Sequence, residues 1–211
     1  MGNYVIVPST NTINLGVKLD SHLDMNNRTS QIISTCSYQL RNIKCIRNIL
    51  TIPVTERIIN ALFTSRLDYC NSLLSGLTQR NYDRLQKLQN SAARCVLRKS
   101  YDYSTTVMLK ELHWLPIRKR VKYKLLLQVY KGLNGMSPRY LTDSMELYNP
   151  KRNLRSTTKN LLVVNKTNRL IGDSSFTTSS AILWNNLPII MKCCVTLDSF
   201  KKALKTYLFN L

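Results

Sequence analysis

Several groups of residues have the types and spacing to do chemistry. Asp20, His22 and Asp24 alternate along the chain and offer oxygen and nitrogen donors of the kind that ligate a metal ion. They follow a β-prone run in a turn-like context, where Asp side chains bond nearby backbone N–H groups, so turn capping is the favoured reading. His113-Trp114 presents an aromatic face that suits stacking on an unpaired base; set between Leu112 and Leu115 ahead of a helix, it reads better as a core anchor. Tyr101 and Tyr103, beside Lys99, combine aromatic and basic character and suit either a stacking contact or a loop anchor. The strongest pattern is basic. Arg80, Arg84, Lys87, Arg94 and Arg98 fall on one flank of a helix read over residues 78–100, TQRNYDRLQKLQNSAARCVLRKS, with only Asp83 of opposite sign. Arg120, Lys124 and Lys131 form a second basic edge farther on, interrupted by Leu127.

The chain of 211 residues has 31 Lys plus Arg against 11 Asp plus Glu, for a formal charge of +20. Such an excess makes a compact fold repel itself unless it meets a polyanion, and RNA or DNA held through its phosphates is the expected partner. If the five residues from Arg80 to Arg98 neutralise phosphates, affinity falls with salt at a log-log slope of roughly −4 to −5. Hydrophobic residues make up 44%, enough to bury a core. No apolar run reaches the roughly 18 residues of a membrane span and no leader is recognisable, so an intracellular protein, cytoplasmic or nuclear, without membrane contact is expected. Cys36, Cys45, Cys70, Cys95, Cys193 and Cys194 show no CxxC and no His at zinc-ligand spacing, and read as reduced residues. Neither metal nor cofactor is expected.

The elements that must position the basic residues are mainly helical. Residues 4–7 and 13–17 read as two strands of a hairpin turning at Pro8-Ser9-Thr10-Asn11. Ile32, Ile33, Cys36, Leu40, Ile43, Ile46 and Leu50 mark the apolar face of the next helix. A second helix starts at Pro53, runs through Ile58, Leu62, Tyr69 and Leu73, and stops near Gly76. Within residues 78–100, Leu85, Leu88, Ala92, Cys95 and Val96 form the apolar flank. Thr106 caps a short helix, and Pro116 opens another that ends between Gly132 and Gly135. The polar, basic stretch SMELYNPKRNLRSTTKN from Ser144 reads as a linker or arm. Residues 161–164 and 169–171 suggest a hairpin, residues 176–187 a helix stopped by Pro188, and Thr196 caps a last helix with Leu197, Phe200, Leu204, Tyr207, Leu208 and Leu211 on one side.

Taken together, LGVKLDSHLDM from Leu15, SRLDYCNSLLSGL from Ser65, LQKLQNSAAR from Leu85, LHWLPIRKRVKYK from Leu112, SPRYL from Ser137, AILWNNLP from Ala181 and LDSFKKALKTYLF from Leu197 resemble the C-terminal part of the reverse transcriptase of LINE-type, non-LTR retrotransposons of the jockey-like kind. The resemblance implies three parts: a palm-end hairpin remnant over residues 1–25, a helical thumb-like bundle over 26–143, and a linker with a small hairpin-plus-helix module over 144–211. Ser174-Ser175 departs from the basic-small pair expected after Gly172-Asp173. Nucleotidyl transfer needs carboxylates that jointly hold two metal ions. The family takes them from adjacent palm aspartates, and this chain contains no Asp-Asp. The expectation is therefore a reverse-transcriptase fragment, non-catalytic alone, that grips RNA or RNA/DNA duplex by its backbone and has the family's palm as a further partner. A domesticated protein-interaction module and a pseudogene relic are the alternatives.

Overall fold

The computed structural model describes residues 10–149 and 160–211. They form eleven helices and one small antiparallel hairpin, the mainly α fold with an N-terminal hairpin expected from the sequence. The hairpin lies elsewhere along the chain. Strands β1 (Asn11–Asn14) and β2 (Val17–Asp20) pair in the register Asn11 to Asp20 and Asn14 to Val17. The turn is Leu15-Gly16, both left-handed at φ 47° and 75°, which is the backbone a two-residue hairpin loop requires. The run 13–17 is therefore not one strand but the end of β1, the turn and the start of β2, and residues 4–7 lie outside the described residues.

Contacts gather the described residues into two compact units. The first takes in the described residues up to Cys70 together with Leu77–Arg98, so the hairpin belongs with the helices that follow it. The second takes in Asn71–Gly76 and the described residues from Lys99 onward.

In the first unit, β2 packs on α1 (Asn26–Ile46), and α4 (Gln79–Leu97) packs on α1 and on α2 (Ile52–Ile59). Thr78 caps α4 by accepting from the Asn81 N–H. The second helix expected from the sequence is broken. A π-helical turn, Asn60–Thr64, separates α2 from the short α3 (Ser65–Asp68), and a left-handed Cys70 follows. Its buried row is Thr55, Ile59, Phe63 and Leu67, whereas Leu62, Tyr69 and Leu73 are exposed. A row spaced by four drifts about 40° per step around a regular α-helix. The wider π turn absorbs that drift and keeps the row facing inward.

In the second unit, α6 (Ile117–Leu133) is the central helix, and α9 (Phe176–Asn185) and α11 (Leu197–Asn210) pack against it. The Phe200 ring stacks on Tyr130, with centroids 4.2 Å apart, and Trp184 lies against the same ring. Trp184 Nε1 donates to the Asn160 carbonyl, and the Asn185 amide bonds both the N–H and the C=O of Leu162. Four short helices complete this unit: α5 (Thr105–Glu111), with Ser104 rather than Thr106 at its N-cap position and no side-chain capping bond, α7 (Arg139–Thr142), α8 (Leu170–Asp173) and α10 (Ile189–Lys192). The second expected hairpin does not form. Leu162 bridges back to Leu147, and the residues after Arg169 turn helical, so the module is built on helices held by side-chain bonds to one extended segment. Ser75 Oγ donates to the Ser174 carbonyl, and a Cβ on Gly76 would stand 2.7 Å from Ser174 Oγ, so this approach requires glycine.

The ends of α1 and α4 are held together by two arginines. Arg47, in the 3-10 turn Arg47–Ile49 after α1, is 6% exposed. Its Nε donates to the Cys95 carbonyl at 2.7 Å and its Nη2 to the Val96 carbonyl at 2.6 Å, which caps α4. Its Nη1 donates to the Leu50 carbonyl at 2.6 Å. In return Arg98, the left-handed cap residue of α4, points Nη2 at the carbonyls of Arg47 and Asn48, at 2.9 and 3.1 Å. Replacing Arg47 by Met strands the Cys95 and Val96 carbonyls, while Leu50 keeps a contact from Arg98 Nη2 at 3.4 Å, and is expected to lower the urea-derived unfolding free energy by about 2–4 kcal/mol. Arg98→Ala, at an exposed position, is expected to cost about 1 kcal/mol. An Arg47→Met protein within about 0.5 kcal/mol of wild type, the range of an ordinary surface change, would refute this role.

Candidate nucleic-acid interface

The apolar flank read for α4 is the buried one: Leu85, Leu88, Ala92, Cys95 and Val96 all lie in the core. The basic flank divides. Arg80, Arg84 and Lys87 are exposed and share one side of the helix, with about 10 Å of axial rise from first to last. Among the described residues, Arg80 and Lys87 make no hydrogen bond or ion pair. Arg84 is held at its root: Nη1 donates to Asn81 Oδ1 at 3.2 Å and Nη2 to Ser30 Oγ at 3.4 Å. Asn81 is buried and itself donates to Asn26 Oδ1 at 2.7 Å, so the guanidinium is fixed against the start of α1.

Arg94 and Arg98 do not continue that row. Arg94 is half-buried and engaged in further interactions. Arg98 leaves the helix at φ 53° and spends its guanidinium on the carbonyls after α1. On α6, Arg120, Lys124 and Lys131 are all half-buried, and the first two are engaged in other interactions. The helical period alone could not show this, because it places side chains on a face without saying what covers that face.

A groove that the sequence reading did not single out adjoins Arg84. Its volume is about 680 Å³, and it runs between the hairpin and α1. Asn27, Ser30, Ser34 and Thr35 line it from α1, and Asn11 and Lys18 from the hairpin. Neutral hydroxyls and amides with one Lys are the groups that contact sugar and phosphate without reading bases. The recurrence of Asn27, Ser30 and Ser34 at helical spacing was the available signal.

The other candidates settle as follows. Asp20 Oδ1 accepts the Asp24 N–H at 2.9 Å, and Asp24 Oδ1 accepts the Asn26 N–H at 2.9 Å, so both carboxylates cap the turn into α1. That backbone hydrogen bond holds the Asp24 carboxyl below its ordinary value, with further help from Asp20, Asn26 and His22 against a smaller opposing effect of burial. No cluster of three or more His, Cys, Asp or Glu suited to a metal occurs among the described residues. Trp114 is buried, and His113 is exposed in a left-handed conformation. Tyr103 lies under Lys99, whose Nζ is 4.6 Å from the ring centroid, while Tyr101 is exposed. No described helix is long and apolar enough to cross a membrane.

The chain matches no protein-family model, no curated protein and no solved structure.

The cysteines are free among the described residues and differ in environment. Burial pushes the Cys36 thiol up to about 11, against a smaller lowering by Arg66 and Arg28, and burial also raises Cys95. Cys45 and Cys193 are exposed. At pH 8 a thiol reagent followed by mass spectrometry is expected to modify Cys45 and Cys193 in the native protein and to reach Cys36 and Cys95 only after unfolding. Equal labelling of Cys36 and Cys45 under native conditions would contradict the packing of α1.

Proposed function

We propose that this chain corresponds to the thumb and post-thumb region of a non-LTR retrotransposon reverse transcriptase and grips the backbone of RNA or an RNA/DNA duplex without catalysing a reaction by itself. The order and spacing of the quoted motifs support the family reading. The observation that carries the binding reading is the exposed row Arg80, Arg84 and Lys87 on α4 beside a groove lined by hydroxyls and amides. Charge at regular helical spacing with neutral donors next to it suits phosphate and sugar and carries no base code. With Arg94 and Arg98 committed elsewhere, three phosphates rather than five is the expected count for α4.

A second reading has its own support. Ile46, Ile49, Ile52 and Val54, where α1 gives way to α2, are all exposed, Ile49 at 82%. A cluster of exposed apolar residues is a surface for another protein, such as the palm of a longer reverse transcriptase or a partner acquired after domestication.

The test is fluorescence anisotropy of a labelled RNA/DNA hybrid across salt concentrations, with wild type and an Arg80→Glu, Arg84→Glu, Lys87→Glu variant that circular dichroism shows to be folded. A log-log salt slope of about −3 from α4, lost in the variant, is the expected outcome. Binding that survives the charge reversals, or a slope near zero, would remove α4 as the grip and leave the protein-partner reading in front.

A further inference from the structure

We propose that a second pocket of the first unit, between the hairpin turn, α1 and α3, binds a phosphate group through the guanidinium groups of Arg28 and Arg66.

Arg28 places a cation where the described residues give it few partners. It lies in the first turn of α1, where the helix dipole is positive and disfavours a cation. It is also 8% exposed, so water screens it little. A guanidinium has five N–H donors, and a buried cation ordinarily finds a carboxylate. Among the described residues Arg28 pairs with none. Its one hydrogen bond, from Nη2 to the Tyr69 carbonyl, is 3.5 Å long, and its guanidinium carbon stands 5.7 Å from the centre of the Tyr69 ring.

The same guanidinium lines an open pocket of about 370 Å³. Arg66 lines it too, exposed and without a hydrogen bond or ion pair among the described residues. Ser65 and Thr35 add hydroxyls, and Gly16 leaves the mouth open, since nothing stands within 4 Å of where its Cβ would be. Tyr69 Oη donates to the Leu15 carbonyl at 2.6 Å, which ties the hairpin turn to the chain leaving α3 and fixes the walls. Gln31 contributes a buried Oε1 with no partner.

Two cations, no carboxylate lining the pocket and a spare acceptor call for an anion of high charge that also carries an O–H. A phosphate group has that chemistry: its oxygens take guanidinium N–H groups in pairs, and its singly protonated form donates a hydrogen bond. The phosphate can belong to the end of a nucleic-acid strand or to a free phosphate. The pocket is separate from the Arg80, Arg84 and Lys87 row and does not depend on that row binding nucleic acid.

The experiment is isothermal titration of the full chain with inorganic phosphate, at ionic strength held constant with chloride. Arg66→Gln is the main variant, because an exposed side chain can be changed without unfolding the protein. Saturable binding by wild type, weakened at least about tenfold in Arg66→Gln and unchanged in the α4 triple variant, is expected. A parallel titration with 5′-phosphorylated and 5′-hydroxyl forms of one oligonucleotide separates the two sources. Preference for the phosphorylated form assigns the pocket to a strand end, and equal affinity assigns it to free phosphate. Absence of saturable phosphate binding, or equal affinity in Arg66→Gln, overturns the proposal.

Discussion

Two guanidinium groups hold the first unit together at the point where α1 and α4 end. Each helix terminus carries carbonyls with no intrahelical partner and a partial negative charge. Arg47 answers those of α4 and Arg98 those of the turn after α1, so each helix supplies the cap of the other. Helix ends more often stop on a glycine and are finished by water. Here the stop is tertiary: Arg98 takes the left-handed conformation that glycine would take more easily, and its side chain repays the strain with carbonyl contacts. Burial and the neighbouring Arg98 charge push the Arg47 guanidinium below its ordinary value, yet an arginine in this setting stays charged. With 31 basic residues against 11 acidic, most basic side chains of this chain cannot pair one-to-one with a carboxylate, and backbone carbonyls serve Arg47 and Arg98 as the alternative.

That economy sorts the net charge into kinds. Arg47 and Arg98 are structural, and Arg28 is buried beside a pocket. The basic edge of α6 is half-buried, and Arg80, Arg84 and Lys87 face solvent. A formal charge of +20 therefore overstates the surface available to a polyanion, and the salt dependence of binding reflects the exposed subset alone.

Regular periodicity made the mainly helical fold legible, together with the buried flank of α4, the Thr196 cap, and the apolar face of α11 at Phe200, Leu204 and Leu208. The 100° step assumes an unbroken α-helix, whereas the buried row Thr55, Ile59, Phe63 and Leu67 keeps a spacing of four through the π turn at Asn60–Thr64. The hairpin turn was hidden because Leu15 is not a residue type that favours the left-handed conformation it takes at φ 47°. Arg98 looked like one more member of a stripe because its spacing was right, and only the neighbouring chain end shows where its side chain goes. The groove on α1 and the pocket at Arg28 needed residues distant in sequence to meet.

The carbonyl clasp also divides the first unit by its response to acid. Carboxylates paired in the native state are the usual point at which low pH loosens a protein, and neither guanidinium nor carbonyl titrates there. The Asp24 carboxyl, held below its ordinary value, stabilises the junction of hairpin and α1 above the normal carboxylate range, and that contribution is lost as pH falls through its lowered value. Acid thus acts on the junction at Asp24, while the joint between the ends of α1 and α4 keeps its charge and its partners.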